Sequence, residues 1–77
     1  DGNHDYEVAK EDFFNSYYSL AQNGILVMDD SSLYLNYKNR KGSFKGHPGP
    51  SRVCVEFAMR KMLHIGTVGH NNIFQKL

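Results

Sequence analysis

Apolar side chains recur at helical spacing in the first third of the chain. Asn23 and Gly24 follow this segment and tolerate a left-handed backbone, so we expect the helix to end there. The next run, Ile25 to Met28, is too short for a helix and predicts a brief buried strand. The predicted first helix spans about residues 8–22 and places on one face, at i, i+4, i+7 and i+8, the residues Phe13, Tyr17, Leu20 and Ala21.

Two further helices are predicted in the middle of the chain. Asp29, Asp30 and Ser31 combine short acceptor side chains with negative charge, which favours the start of a second helix over residues 31–39. Residues 41–50 contain several glycines, prolines and lysines and predict a basic loop. The third helix is expected from about residue 50 to residue 63. Apolar residues cover most of its circumference, so it should be the most buried of the three.

The C-terminal segment has the pattern of a β-hairpin. Gly69 and the pair Asn71-Asn72 accept positive φ angles and therefore predict a turn between two strands. Gly66 to His70, Gly-Thr-Val-Gly-His, resembles the start of a phosphate-binding loop, but the later positions of that motif do not hold its glycine, lysine and hydroxyl residues. The predicted fold class is α+β: three helices, a short strand after the first helix and a C-terminal hairpin.

Length and composition limit the possible classes of protein. The chain of 77 residues is sufficient for one small domain. We expect this domain to occupy residues 7–77 as a fragment of a larger protein, with residues 1–6 disordered or vector-derived. The single cysteine, Cys54, excludes an internal disulfide and lies in an apolar helical segment, which indicates a buried structural thiol in an intracellular protein.

The charged residues are unevenly distributed. Residues 1–30 contain seven acidic residues and one lysine, for a net charge of −6. Residues 31–77 contain eight basic residues and one glutamate, for a net charge of +7. This asymmetry points to a polyanionic partner such as double-stranded DNA. The alternative is that the two halves neutralise each other within one fold or between two copies of it.

Lysine and arginine neutralise phosphates without reading sequence, which makes the basic half a candidate DNA-binding surface. Asn71 and Asn72 can pair with adenine, although two asparagines after Gly-His are also an ordinary turn. The candidate DNA-binding residues are Lys38, Arg40, Lys41, Lys45, Arg52, Arg60, Lys61, His70, Asn71, Asn72 and Lys76.

Other chemistry is weakly represented in the sequence. The four histidines do not occur at a ligand spacing, and a single cysteine cannot complete a zinc site, so we expect no metal, no cofactor and no enzymatic activity. Several aromatic residues could stack on unpaired bases, and at helical spacing they could equally form the core. They are Phe13, Phe14, Tyr17, Tyr18, Tyr34 and Tyr37.

Two short motifs carry a family resemblance. The stretch Ser31 to Tyr37, Ser-Ser-Leu-Tyr-Leu-Asn-Tyr, and the element Gly66 to Gly69, Gly-Thr-Val-Gly, are similar to the winged-helix domain of the regulatory factor X type and to the related C-terminal domain of viral primase-helicases. The resemblance spans about residues 10–77. It implies a winged helix whose third helix and hairpin meet duplex DNA, within a nuclear transcription, replication or chromatin protein.

A second interpretation is a winged helix used for protein–protein interaction or self-association. The total charge is only +1, and apolar residues are expected to be exposed around the third helix. In addition, the positions at which the family clusters arginines hold Leu63, His64, Ile65 and Val68.

Overall fold

The computed structural model describes residues 2–35 and 43–77 and confirms the α+β class. Two helices pack on one side of a three-stranded antiparallel sheet. In chain order the elements are α1 (Gly2–Ser19), β1 (Ile25–Met28), α2, β2 (Met62–Val68) and β3 (Asn71–Lys76), where α2 consists of Pro48–Val53, a π-helical turn Cys54–Ala58 and a last turn Met59–Lys61.

Helix α1 is longer at its start than predicted. It begins at Gly2 and therefore includes residues 2–6, which the sequence predicts to lie outside the domain. It ends at Ser19, shortly before Asn23 takes a φ of 67°, so the predicted stop is confirmed. The N–H of Asn23 donates to the carbonyl of Lys76 at 2.8 Å, which ties the turn after α1 to the last strand.

The sheet has the order β1-β3-β2, so β1 is an edge strand. The prediction of a strand at residues 25–28 is confirmed, but its burial is not. Ile25 and Val27 are 51% and 53% exposed, while Leu26 and Met28 pack against the core. The strand has one covered and one open face because the helices lie on one side of the sheet.

The predicted C-terminal hairpin is present, with a tighter turn than expected. Only Gly69 and His70 form the turn, and Gly69 supplies a φ of 61° at its first position, as a type II′ turn requires. Asn71 and Asn72 belong to β3, so their assignment to the turn was wrong. A bulge between His64 and Gly66 inserts one extra residue into β2.

No helix begins at Ser31. Asp30 takes a φ of 56°, and Ser31 forms an isolated β-bridge with Gly46. The hydroxyl of Ser31 donates to the carbonyl of Met28 at 2.7 Å instead of accepting a hydrogen bond as a helix cap. The predicted second helix is therefore wrong over residues 31–35, and the remainder of it lies outside the described residues.

Helix α2 corresponds to the predicted third helix, shifted by two residues towards the N-terminus. His47 has an extended backbone, and Pro48 opens the helix with the φ angle that a first helical residue needs. The N–H of Met59 donates to the carbonyl of Cys54, five residues earlier, which is the hydrogen bond of a π turn. Met62 is already extended, so β2 follows the helix without a loop.

The hydrophobic core lies between the two helices and the inner face of the sheet. Three of the core residues belong to α2 and one belongs to α1. The prediction that the helix now called α2 is the most buried one is therefore confirmed. Burial raises the pKa of the Cys54 thiol to about 11, in agreement with a structural thiol. The core residues are Phe13, Val53, Cys54, Ala58, Met62 and Phe74.

A buried amide connects the hairpin to the segment after β1. Asn72 is fully buried, and its Nδ2 donates to the hydroxyls of Ser31 at 2.8 Å and Ser32 at 2.9 Å. Its Oδ1 accepts from the Thr67 hydroxyl at 2.7 Å and lies 2.9 Å from Nε2 of His64. One side chain thus joins β3, β2 and the Ser31–Ser32 segment inside the protein.

Replacement of Asn72 by alanine should lower the free energy of unfolding by about 3 kcal/mol, because it leaves buried hydroxyls without partners. Asn71→Ala is the matched control, since the Asn71 side chain accepts one hydrogen bond, from the N–H of Asp30 at 3.2 Å. Urea unfolding of both variants measures the difference. Equal losses would contradict the special role of Asn72.

Candidate nucleic-acid interface

Aromatic side chains form a continuous row across α1 and α2. In α1 the rings of Phe13 and Tyr17, and of Phe14 and Tyr18, stack at 5.8 Å and 5.9 Å because each pair is four residues apart. Phe57 of α2 meets Phe14 edge to face at 5.0 Å. Phe13 belongs to the core, whereas Tyr18 is 71% exposed. The row therefore begins in the core and ends in solvent.

Three lysines from three different elements lie over these rings. Nζ of Lys10 is 5.4 Å from the ring centroid of Phe57, and Nζ of Lys61 is 5.9 Å from that of Tyr17. Nζ of Lys76 is 4.5 Å from the same Tyr17 ring. At exposed sites such cation–π contacts contribute about 0.5–1 kcal/mol each. We call this set the lysine–aromatic surface, and its residues are Lys10, Phe14, Tyr17, Tyr18, Phe57, Lys61 and Lys76.

Lys76 also closes the C-terminal end of α1. Its Nζ donates to the carbonyl of Tyr17 at 2.7 Å and to that of Leu20 at 2.8 Å. The cation thus lies at the negative end of the helix dipole, where positive charge is favourable. α1 itself has no basic residue in its last turn, so the distant Lys76 takes this role.

Arg60 and Lys61 are the last two residues of α2, and both are exposed. Cations at a helix C-terminus are favoured by the dipole, which explains their position in the sequence. Arg60 thereby adds a fourth positive charge beside Lys61. Lys10, Lys61 and Lys76 meet at the aromatic rings, so the acidic and the basic half of the sequence both contribute to this cationic group.

Arg52 contacts two side chains of the domain itself, Glu56 and Tyr6. Its Nε lies 3.0 Å from Oε2 of Glu56, and its guanidinium stacks 3.8 Å from the ring centroid of Tyr6. The Tyr6 hydroxyl donates to Oε1 of Glu56 at 2.7 Å, and this hydrogen bond, followed by the hydrogen bond and the charge of Arg52, lowers the pKa of Glu56. The same bond raises the pKa of Tyr6. The charge of Arg52 is therefore matched locally by a carboxylate.

The turn of the hairpin lies beside an acidic residue. Oδ1 of Asp30 is 3.7 Å from Nε2 of His70, and its Oδ2 is 3.8 Å from Nε2 of His47. Asn71 accepts a hydrogen bond from the backbone of the same aspartate. The predicted site residues His70 and Asn71 are thus together, but next to a carboxylate that repels phosphate.

Two further predicted site residues, Asn72 and Lys45, have contacts elsewhere in the fold. Asn72 is fully buried and hydrogen-bonded to four side chains, so the prediction that it contacts DNA bases is wrong. Nζ of Lys45 donates to the carbonyl of Leu35 at 3.2 Å. The predicted site residues Lys38, Arg40 and Lys41, and the aromatic residue Tyr37, lie outside the described residues.

Lys10 was not among the predicted site residues. It is the only basic residue among residues 1–30, so the net charge of −6 of this half gave no reason to select it. A local signal was nevertheless present, because Lys10 precedes Phe14 by four residues and so shares a face of α1 with it. The contact with Phe57 could not be found this way, since it depends on how the two helices pack.

The described part of the chain shows neither a cluster of metal-binding side chains nor a helix that could span a membrane. The side chains described for residues 6–35 and 43–77 include no group of three or more His, Cys, Asp or Glu residues that could hold a metal ion. No helix within residues 2–35 and 43–77 has the length and apolar character needed to cross a membrane.

Lys76→Ala should lower the free energy of unfolding by about 1–3 kcal/mol, because it removes two hydrogen bonds to the end of α1 and a cation at the dipole terminus. Arg60→Ala is the control, since an exposed residue of this kind typically changes stability by at most about 0.5 kcal/mol. Urea unfolding compares them. If both variants match the wild type, Lys76 is not a helix cap.

Comparisons with protein-family models, with curated proteins and with solved structures gave no match for this chain.

Proposed function

We propose that this chain is a nucleic-acid-binding module that holds the phosphate backbone of DNA along the lysine–aromatic surface. The observation that carries the proposal is the convergence of Lys10, Lys61 and Lys76 on one aromatic row. The exposed Arg60 precedes Lys61 in the last turn of α2. Cations neutralise phosphates and release counterions, and aromatic faces accept unpaired bases by stacking.

The charge of this group is available to a ligand. Among the described side chains, no carboxylate forms an ion pair with Lys10, Arg60, Lys61 or Lys76, whereas Arg52 is paired with Glu56. Although Lys76 uses two of its three N–H donors on α1, its charge and one donor remain for a phosphate. We therefore expect binding through about four phosphate contacts.

This mode differs from the one that the winged-helix resemblance implies. There the hairpin meets the duplex, but here the turn holds Gly69 and His70, and Asp30 lies beside His70. The winged-helix resemblance implies that the third helix and the hairpin both contact DNA. Of these two parts, the end of α2 carries the positive charges, those of Arg60 and Lys61. Because phosphate contacts carry no sequence information, the module should bind different DNA sequences about equally.

A winged-helix fold within a nuclear transcription, replication or chromatin protein remains part of the proposal. Its support is the order of elements, in which a helix, a short strand, a further helix and a C-terminal hairpin follow one another. The absence of helix at residues 31–35 weighs against the usual second helix of such domains.

The double variant Arg60→Ala/Lys61→Ala tests the proposal. Wild-type binding to a mixed-sequence DNA duplex should weaken with salt at a logarithmic slope of about −3 to −4, and the double variant should reduce its magnitude by about 2. Fluorescence anisotropy at several salt concentrations, with two unrelated duplex sequences, measures this.

Arg52→Ala is the matched control, because its charge is already neutralised by Glu56. We expect it to retain the wild-type slope. A wild type that does not bind at low salt, or a double variant with an unchanged slope, would refute the proposed surface.

Tyr18→Ala separates base stacking from phosphate contact. A stacked base is worth about 1–3 kcal/mol, so the variant should bind single-stranded DNA about 5- to 150-fold more weakly while duplex binding changes little. Tyr34→Ala is the control, since Tyr34 is also about half exposed, at 52%, but lies in the segment after β1. Equal effects of the two variants on single-stranded DNA would exclude stacking on Tyr18.

A further inference from the structure

Strand β1 has an open edge. β3 lies on one side of it, and among the described residues no strand lies on the other side. The carbonyl of Gly24 accepts from the N–H of Lys76 at 2.9 Å, and in an antiparallel pair the backbone groups of every second residue face the partner strand. The N–H and C=O groups of Ile25 and Val27 therefore point away from β3, towards the open edge.

The segment before α2 pairs with the chain only beyond the end of β1. The N–H of His47 donates to the carbonyl of Asp30 at 2.9 Å, and the N–H of Ser32 donates to the carbonyl of Lys45 at 2.8 Å. Pro48 then turns the chain into α2, so this segment does not continue along β1. The open edge is thus left uncovered by the neighbouring segment that comes nearest to pairing with it.

A groove of about 210 Å³ lies between α1 and β1. Its wall on α1 is one stripe of the helix, since the residues recur at i, i+3, i+4 and i+7. Its wall on β1 includes Leu26 and Val27, whose side chains point to opposite faces of the sheet, so the groove reaches the open edge of the strand. We call it the edge groove, and its residues on α1 are Ala9, Asp12, Phe13 and Ser16.

A further strand fits over the edge groove. Neighbouring strands lie about 4.8 Å apart, so a strand added beside β1 would cover the stripe of α1. Every second side chain of the added strand would point into the edge groove, as Leu26 and Met28 of β1 point towards the core. A cavity of about 150 Å³ holds a benzene molecule, so the edge groove has room for one apolar side chain.

The edge groove is negatively charged. Asp12 of α1 and Asp29, which follows β1, both line it and are both exposed. Among the described side chains, no cation forms an ion pair with either carboxylate. Unpaired backbone groups at a sheet edge bind an extended segment, and free carboxylates favour lysine or arginine on that segment. The occupant defined by this chemistry is a basic strand with an apolar residue.

A second copy of this chain does not meet that description. Two copies paired through β1 would bring two acidic grooves together, and like charges across an interface are unfavourable. The other edge strand of the sheet, β2, has a bulge between His64 and Gly66, which disfavours regular pairing with a further strand.

We propose that the open edge of β1 binds an extended basic segment of a partner protein, which adds a fourth strand to the sheet and seats an apolar side chain in the edge groove. Its backbone pairs with Ile25 and Val27, and its basic side chains lie beside Asp12 and Asp29. No residue of the lysine–aromatic surface lines the edge groove, so this interaction is independent of DNA binding.

The probe is a displayed library of random peptides of about ten residues, selected on the folded chain. We expect the selected peptides to combine lysine or arginine with an apolar residue and to bind as a strand. On binding, the amide protons of Ile25 and Val27 should exchange with solvent at least about tenfold more slowly, because they become hydrogen-bonded. The amides of Leu26 and Met28 face β3 and should change little, which makes them an internal control.

Val27→Pro tests the backbone pairing. Proline lacks the N–H that the added strand would use, and it is tolerated in edge strands. The variant should bind the selected peptides at least about fivefold more weakly and bind DNA like the wild type. Val27→Thr is the matched control, since it keeps the N–H and a β-branched side chain, and it should bind the peptides like the wild type.

The double variant Asp12→Asn/Asp29→Asn tests the charge of the edge groove and leaves the backbone intact. It should weaken the selected peptides and reduce the salt dependence of their binding. Glu11→Gln is the matched control, because it removes one carboxylate from an exposed position of α1 outside the edge groove. Thermal melting establishes that each variant folds, and the aspartate variant decides if Val27→Pro does not.

Three results would overturn the proposal. The library could yield no binding peptide, or the selected peptides could leave the exchange of Ile25 and Val27 unchanged. The wild type could also form a concentration-dependent dimer that Val27→Pro dissociates, which would identify a second copy as the occupant of the edge.

Discussion

The buried amide of Asn72 is the interaction on which the rest of the structure depends. Its two donors and its acceptor reach Ser31, Ser32 and Thr67, and the His64 ring completes the group. Leaving a buried amide without hydrogen-bond partners costs more free energy than each of its hydrogen bonds contributes to stability. The network therefore favours the one chain arrangement in which all of these groups are paired. It fixes the segment after β1 against the hairpin and holds the two strands β2 and β3 in register.

This constraint leaves the two faces of the sheet with different chemistry. On the inner side, the helices cover the core, and the lysines of α1, α2 and β3 gather around the aromatic row. On the outer side, alternation along the strands exposes Ile25, Val27 and Leu63 with no charge among them. The acidic and basic halves of the sequence do not form separate acidic and basic surfaces, since Lys10 of the acidic half lies on the aromatic row with Lys61 and Lys76 of the basic half.

Local signals predicted the elements whose boundaries are set by local chemistry. Asn23 marked the end of α1, and Gly69 marked the hairpin, because a left-handed backbone restricts the choice of residue. The helix start predicted at Asp29, Asp30 and Ser31 was wrong, because the backbone of Asp30 and of Ser31 and the Ser31 hydroxyl form hydrogen bonds with distant residues. The interpretation of Asn72 as a turn residue failed for the same reason.

The candidate site was predictable only in part. Lys61 and Lys76 were identified from charge, but the capping role of Lys76 depends on a contact with Leu20 across the fold. Arg52 was predicted as a phosphate contact, and its pairing with Glu56 at i, i+4 was readable from the sequence. The aromatic row was open to two interpretations, and the structure divides it, with Phe13 in the core and Tyr18 in solvent.

Hydrogen exchange of the asparagine side chains, followed by NMR, tests the central role of Asn72 most directly. Its Nδ2 protons are donated to two buried hydroxyls, so they should persist long after those of Asn71 have exchanged with solvent. Exchange of the two side chains at the same rate would show that Asn72 is not held inside the protein, and the account built on it would fail.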